Sequence, residues 1–192
     1  MIAHQDKITA SNLQKVIDVC TKLGISPDHL MMAIFKETAG TFSPSIKNPT
    51  SSASGLIQFM EKTAKQLGTT TAQLRAMTFN QQMNYVYKYF LPFKGRLKNF
   101  YDVYLAIFFP AAIGKKDDWR FPNWVYKANK GLDINKNGYI TLGEWKRWAL
   151  TGQKKYANKA NNKSLFAASD SASKVVIPVI LLTLGLFLFK AI

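Results

Sequence analysis

Apolar residues recur at intervals of three and four along most of the first 160 positions, the period of an α-helix with one face turned to a core. Over residues 11–23 they fall at Leu13, Val16, Ile17, Cys20 and Leu23, with Ser11 and Gln14 at capping-box spacing and Gly24 as the stop. Ser26-Pro27 supplies a second cap with proline at the first helical position, which predicts a helix over 27–38. A stretch rich in Ser, Thr, Asn and Pro, 40–54, reads as a loop. A third helix is expected over 55–67, with Leu56, Met60, Ala64 and Leu67 on one face and Gly68 at its end. The pattern returns from Thr78 through Phe79, Met83, Val86 and Phe90 to the stop at Pro92, and again over 100–109. A short helix over 123–129, an acidic loop and a longer basic helix over 143–160 complete the series. Strict alternation is scarce and no internal repeat is visible, so the expected fold class is all-α. One compact domain over 1–150 is followed by a basic helix end and a small-polar linker over 151–173, then an apolar tail over 174–192.

The tail changes the picture. Residues 175–189 form an uncharged apolar run bracketed by Lys174 and Lys190. As a helix the run spans roughly 22 Å against a hydrocarbon core of ~30 Å, a gap that lysine snorkelling and local thinning close. A C-terminal transmembrane helix, and membrane localisation, are therefore expected. The N-terminal residues show no secretory signal pattern. The chain carries 26 Lys+Arg against 11 Asp+Glu, a net charge of +15, which suits a polyanionic partner. Charge is the only feature favouring nucleic acid, and no nucleic-acid motif accompanies it. Between Glu144 and Asp170 no acidic residue intervenes while Lys146, Arg147, Lys154, Lys155, Lys159 and Lys163 accumulate, as expected of a segment lying on anionic lipid. The single cysteine, Cys20, excludes an intrachain disulfide and sits at core spacing, and neither His4 nor His29 has zinc-ligand company.

In the second helix Leu30, Ile34 and Glu37 fall at i, i+4 and i+7, placing a carboxyl on the apolar stripe. Desolvation there favours the protonated form, which is the state a general acid for glycosidic cleavage needs. The catalytic glutamate of lysozyme, raised by its apolar pocket to a pKa of about 6, is the type case. The plain alternative is a glutamate at a helix end that reaches solvent or a lysine.

The residues that follow favour the acid. Glu37-Thr38, Phe42, Ser51-Ser52-Ala53-Ser54-Gly55-Leu56-Ile57-Gln58-Phe59-Met60, Thr63-Ala64 and Leu67-Gly68 stand in the order and spacing of the lysozyme-like lytic transglycosylase superfamily, which the chain resembles. Residues 81–94 and 101–115 look like phage-encoded members, so the resemblance covers about 12–150. It implies a lysozyme-like domain of the soluble lytic transglycosylase or goose type. It also implies peptidoglycan as substrate, cleavage between N-acetylmuramic acid and N-acetylglucosamine with a 1,6-anhydro product, and Glu37 as acid and base. Gly55 would give the backbone close access to a sugar, Gln58 would hold an N-acetyl amide, and Ser52 and Ser54 would assist. The family's Ala-Tyr-Asn-Ala-Gly motif would fall on residues 108–112, where Phe109 replaces the tyrosine that supports the acid; Tyr101 and Tyr104 lie upstream as substitutes. Should a second carboxylate such as Asp102 or Glu61 face the cleft, a hydrolytic muramidase is the alternative. A catalytically decayed virion structural protein, in contact with other virion proteins, is a third reading. The resemblance also implies a place in the virion or its membrane.

Residues 133–144, DINKNGYITLGE, fit an EF-hand loop. Asp133, Asn135 and Asn137, the main-chain carbonyl of Tyr139, Thr141 directly or through water, and Glu144 are the expected ligands of a structural Ca²⁺, with Gly138 at the turn. No second such loop is present, so the expected role is to tie flanking helices rather than to switch a paired groove.

Overall fold

The computed structural model describes residues 1–161. Among them are nine α-helices joined by turns and short 3-10 segments, with no β-strand, so the all-α expectation holds. The helices are α1 (Ala10–Leu23), α2 (Pro27–Glu37), α3 (Glu61–Gln66), α4 (Thr71–Ala76), α5 (Phe79–Phe90), α6 (Phe100–Phe108), α7 (Asn123–Ala128), α8 (Leu142–Ala149) and α9 (Ala157–Asn161).

The centre is the crossing of α2 and α6. Every residue of α6 except Asp102 is buried, and α2 buries the consecutive run His29 to Ile34 together with Glu37. Helices this apolar around their circumference need partners on every side. α1 and α9 pack on α2, α9 also meets α6, and α5 lies against α1. The N-terminal residues lie against α2, which is tied in turn to α9. The amide of Ala3 donates to Asp28 Oδ1 at 2.7 Å, Asp28 pairs with Lys159 at 2.9 Å, and His4 stacks on Phe35 with centroids 4.1 Å apart.

Several boundaries differ from expectation. The cap of α1 is Thr9, whose hydroxyl accepts from the amide of Asn12, not Ser11. The third helix begins at Glu61 because 55–60 are taken up by a tight turn: Ser54 pairs with Phe59 and the amide of Gly55 donates to Ile46 O at 2.8 Å. α4 escaped the periodic reading although Thr70 and Gln73 form a complete capping box. The expected basic helix over 143–160 is two helices. Gly152 adopts a left-handed φ of 80°, and the buried Gln153 side chain donates to Ala149 O at 2.9 Å, finishing α8.

None of the helices among the described residues is long and apolar enough to cross a membrane. The apolar run 175–189, the site of the expected transmembrane helix, and most of the linker lie outside the described residues.

Candidate active site

Glu37 is the last residue of α2 and is 1 % exposed. Burial drives its carboxyl up to about 8, against the opposing pulls of a hydrogen bond with Tyr104 and the positive charge of Lys36. Its Oε2 is buried without a hydrogen-bond partner. An orphaned buried oxygen costs free energy, and protonation is the chain's way of limiting that cost.

The partner hydroxyl comes from α6. Tyr104 is 1 % exposed, and its ring is fixed by Phe100, Trp145 and Trp148 at centroid distances of 5.8, 5.2 and 6.0 Å. Burial, followed by the charge and hydrogen bond of Glu37, holds the phenol far above its ordinary value, so Tyr104 stays a donor. Of the two upstream tyrosines, Tyr104 meets the acid. Tyr101 instead lines a separate cavity of about 260 Å³ with Asp117, Lys146 and Arg147. A residue the sequence reading passed over, Tyr89 of α5, also lies close enough to Glu37 for that charge, after burial, to raise its phenol. Its hydroxyl donates to Ala106 O at 2.8 Å and its ring meets Phe59 edge-on at 6.0 Å, joining α5, α6 and the 55–60 turn. The signal lay in the aromatic run of residues 85–90, which periodicity assigns to core without distinguishing a phenol.

Lys36 points away from its neighbour. Its Nζ lies 4.1 Å from the centre of the Trp148 ring and donates to Trp148 O at 3.3 Å, and burial lowers it to about 8. Beyond Glu37 the chain turns sharply. Ala39, Gly40 and Phe42 have φ of 48°, 79° and 54°, and Thr38 pins the turn by donating to Ile34 O at 2.7 Å and accepting from the amide of Phe42 at 3.0 Å. Non-glycine residues in this region store strain that the surroundings must impose.

The residues expected to bind sugar have framework duties. Ser54 is fully buried, accepting from Arg75 Nη1 at 2.9 Å and donating to Ser52 O at 3.1 Å. Ser52, half-buried, accepts from the amide of Glu61 at 3.2 Å. Gln58 is 2 % exposed, has a left-handed φ of 51°, and donates to Gly55 O at 3.1 Å. At the left-handed φ of 79° taken by Gly55, a Cβ would collide with the side-chain amide of Gln82. Gln82, fully buried and unremarked in the sequence, is the hub of this turn. It accepts from the amide of Leu56 and donates to Pro44 O at 2.9 Å and Leu74 O at 2.8 Å. Phe109 is buried against Trp119, Phe121 and Trp124.

The alternative second carboxylates are occupied elsewhere. Glu61 accepts from the Thr71 amide at 3.0 Å and hydroxyl at 2.6 Å, which holds it below the usual carboxylate range. Asp102 accepts from the amide of Lys98 at 2.9 Å.

The 133–144 loop curls as an oxygen-lined turn. Asp133 Oδ1 and Asn135 Oδ1 both accept from the amide of Asn137, at 3.1 and 3.2 Å, and Asp133 Oδ2 accepts from Gly138 at 2.9 Å. Asn137 Oδ1 accepts from Tyr139, and Gly138 takes a φ of 87° at the turn. Glu144 folds back: Oε1 accepts from Ile134 at 3.2 Å, and Oε2 from the amide and hydroxyl of Thr141, both at 2.8 Å. Burial pushes this carboxyl up, but the Thr141, Asn135 and Ile134 hydrogen bonds outweigh it and hold it below the ordinary value. Among the described residues no cluster of three or more His, Cys, Asp or Glu side chains forms. The loop offers two carboxylates with amide, hydroxyl and main-chain oxygens, a donor set that fits a hard cation such as Ca²⁺ rather than zinc.

No protein-family model, curated protein or solved structure matches the chain.

Proposed function

We propose that the chain is a lysozyme-like peptidoglycan lytic transglycosylase with Glu37 as its acid and base. The observation that carries this reading is a fully buried glutamate whose carboxyl is driven up to about 8 and whose second oxygen has no partner. Such a group carries a proton at neutral pH and has an oxygen uncommitted to the fold. Glu37 would pass its proton to the oxygen bridging N-acetylmuramic acid and N-acetylglucosamine as the C1–O bond breaks. The resulting carboxylate, steadied by the Tyr104 hydroxyl, would take the proton of the muramic C6 hydroxyl as O6 bonds to C1 and closes the anhydro ring. Glu37 regains its proton, so the cycle balances without water. The occupied state of Asp102 and Glu61 supports this route over a hydrolytic one, which needs a second carboxylate to activate water. Tyr104 acts as a positioning residue in place of the family tyrosine that Phe109 lacks.

Zymography on purified peptidoglycan tests the assignment: the wild type clears the wall and Glu37→Gln does not. Mass spectrometry of the products should show 1,6-anhydro ends; reducing ends would assign a muramidase instead. The 1 % exposure of Glu37 favours one other reading, a virion structural protein that keeps the fold without the activity. Wild-type protein that leaves the wall intact would favour that reading. The remaining parts of the proposal are a structural Ca²⁺ in the 133–144 loop and a membrane anchor over 175–189 in a virion or host envelope. Calorimetric titration with Ca²⁺ and vesicle flotation of the full chain test these two.

A further inference from the structure

We propose that Trp119 and Trp124 form an aromatic platform that stacks a pyranose ring, a carbohydrate contact separate from the Glu37 site. The inference rests on the reading of a glycan as substrate. Trp124, on α7, is 44 % exposed, whereas Trp145 is fully buried. An indole left this far in water forgoes much of the gain from burying its large apolar face. Trp119 is half-buried and packs on the same Phe109 ring as Trp124. The Phe109 ring supports both indoles, at centroid distances of 5.9 Å from Trp119 and 5.7 Å from Trp124. Phe121 completes the base, edge-on to Phe109 at 5.5 Å and to Trp119 at 5.1 Å.

The frame is preorganised. The amide of Leu142 donates to Trp119 O at 2.8 Å and that of Phe121 to Ile140 O at 2.9 Å, with Arg120 bridged to Thr141. Alternation along this extended segment sends Trp119 and Phe121 to one side and Arg120 to the other, where its guanidinium lies 3.7 Å from the centre of the Tyr139 ring. A surface already held in place pays little ordering entropy on binding. The axial C–H groups of a pyranose form an apolar face that packs on an indole through dispersion and desolvation. Exposed Asn123 and Lys127 flank Trp124 on α7 and offer donors to hydroxyl, N-acetyl and carboxylate groups. Two indoles are far smaller than the ~800 Å² per partner of a stable protein interface, which favours a sugar over a protein. One aromatic network joins the platform to the acid: Phe108, next to Phe109, packs on Trp145 and Trp148, which both pack on Tyr104.

The test is binding, not cleavage. Full-length protein is sedimented with purified peptidoglycan at high salt and titrated with an N-acetylglucosamine hexamer while tryptophan emission is followed. Trp124→Ala should bind both about tenfold more weakly at unchanged melting temperature, and Trp124→Phe should stay within about threefold of wild type. Trp124→Ala binding as tightly as wild type would overturn the platform, as would loss of vesicle binding or self-association with glycan binding intact. A wild type that clears the wall while Trp124→Ala binds normally defeats the platform alone. Trp124-dependent binding by a protein that clears no wall defeats the enzymatic reading alone.

Discussion

Glu37 and Glu144 each expose only 1 % of their surface, but Glu37 ends a core helix while Glu144 lies under the exposed 134–138 loop, and their carboxyls move in opposite directions. Glu37 is driven up to about 8, and Glu144 is held below the ordinary value. The difference lies in how deep each sits and in its donors. Glu144 receives the amides of Ile134 and Thr141 and the Thr141 hydroxyl, so its charge is solvated by the fold. Glu37 has Tyr104 for one oxygen's worth of support and nothing for Oε2. Low exposure alone therefore does not decide what a glutamate is for; the depth of its burial and the hydrogen bonds to its charged form do. One region of the molecule stores a proton, and the other stores a negative charge beside an oxygen-lined turn.

The comparison breaks most visibly at the acid. Glu37→Gln should reduce wall cleavage by about 10²–10⁴-fold, the usual contribution of a general acid, while leaving the folded chain intact in a melting experiment. Next in size is the pH dependence of stability. Because the folded carboxyl lies above its unfolded value of 4.5, Glu37 contributes stability that is fully present below 4.5 and is lost as the pH rises through about 8. Across that window chemical denaturation should show a loss on the order of 1 kcal/mol per pH unit, absent in Glu37→Gln. Glu144 has the opposite sign, contributing above its unfolded value and failing as the pH falls, so Glu144→Gln should flatten the acid limb instead.

Smaller effects sharpen the contrast. Thr141→Ala removes the cap of α8 and a donor to Glu144, and should cost about 1 kcal/mol in urea denaturation. Ca²⁺ should raise the melting temperature of the wild type and leave Asp133→Ala unmoved. Tyr104→Phe deletes the donor that favours the Glu37 carboxylate, so the alkaline limb of the activity profile should shift upward in pH. An unmoved limb would remove Tyr104 from the site.

Much of this was legible in the sequence. Helical periodicity located α1, α2, α5 and α6 within a few residues, and the i, i+7 spacing from Leu30 placed Glu37 on the buried face. What escaped was set by contacts distant in sequence. The 55–60 turn carries helix-compatible residues, but pairing with Ile46 and the Gln82 hub override their local preference. No local pattern announces that the Gln82 amide fills the space a Cβ at Gly55 would need. Nothing local distinguishes Tyr104 from Tyr101; only the packing of α6 on α2 selects the one that meets Glu37.

Everything proposed for this site requires that Glu37 keep its proton at neutral pH. The chain has three glutamates, Glu37, Glu61 and Glu144, so a ¹³C titration of glutamate-labelled protein yields three carboxyl resonances, with Glu37→Gln assigning one of them. One resonance should titrate at about 8 and vanish in the variant, and two should titrate below the ordinary range. A Glu37 resonance titrating near 4.5 would contradict the proposal.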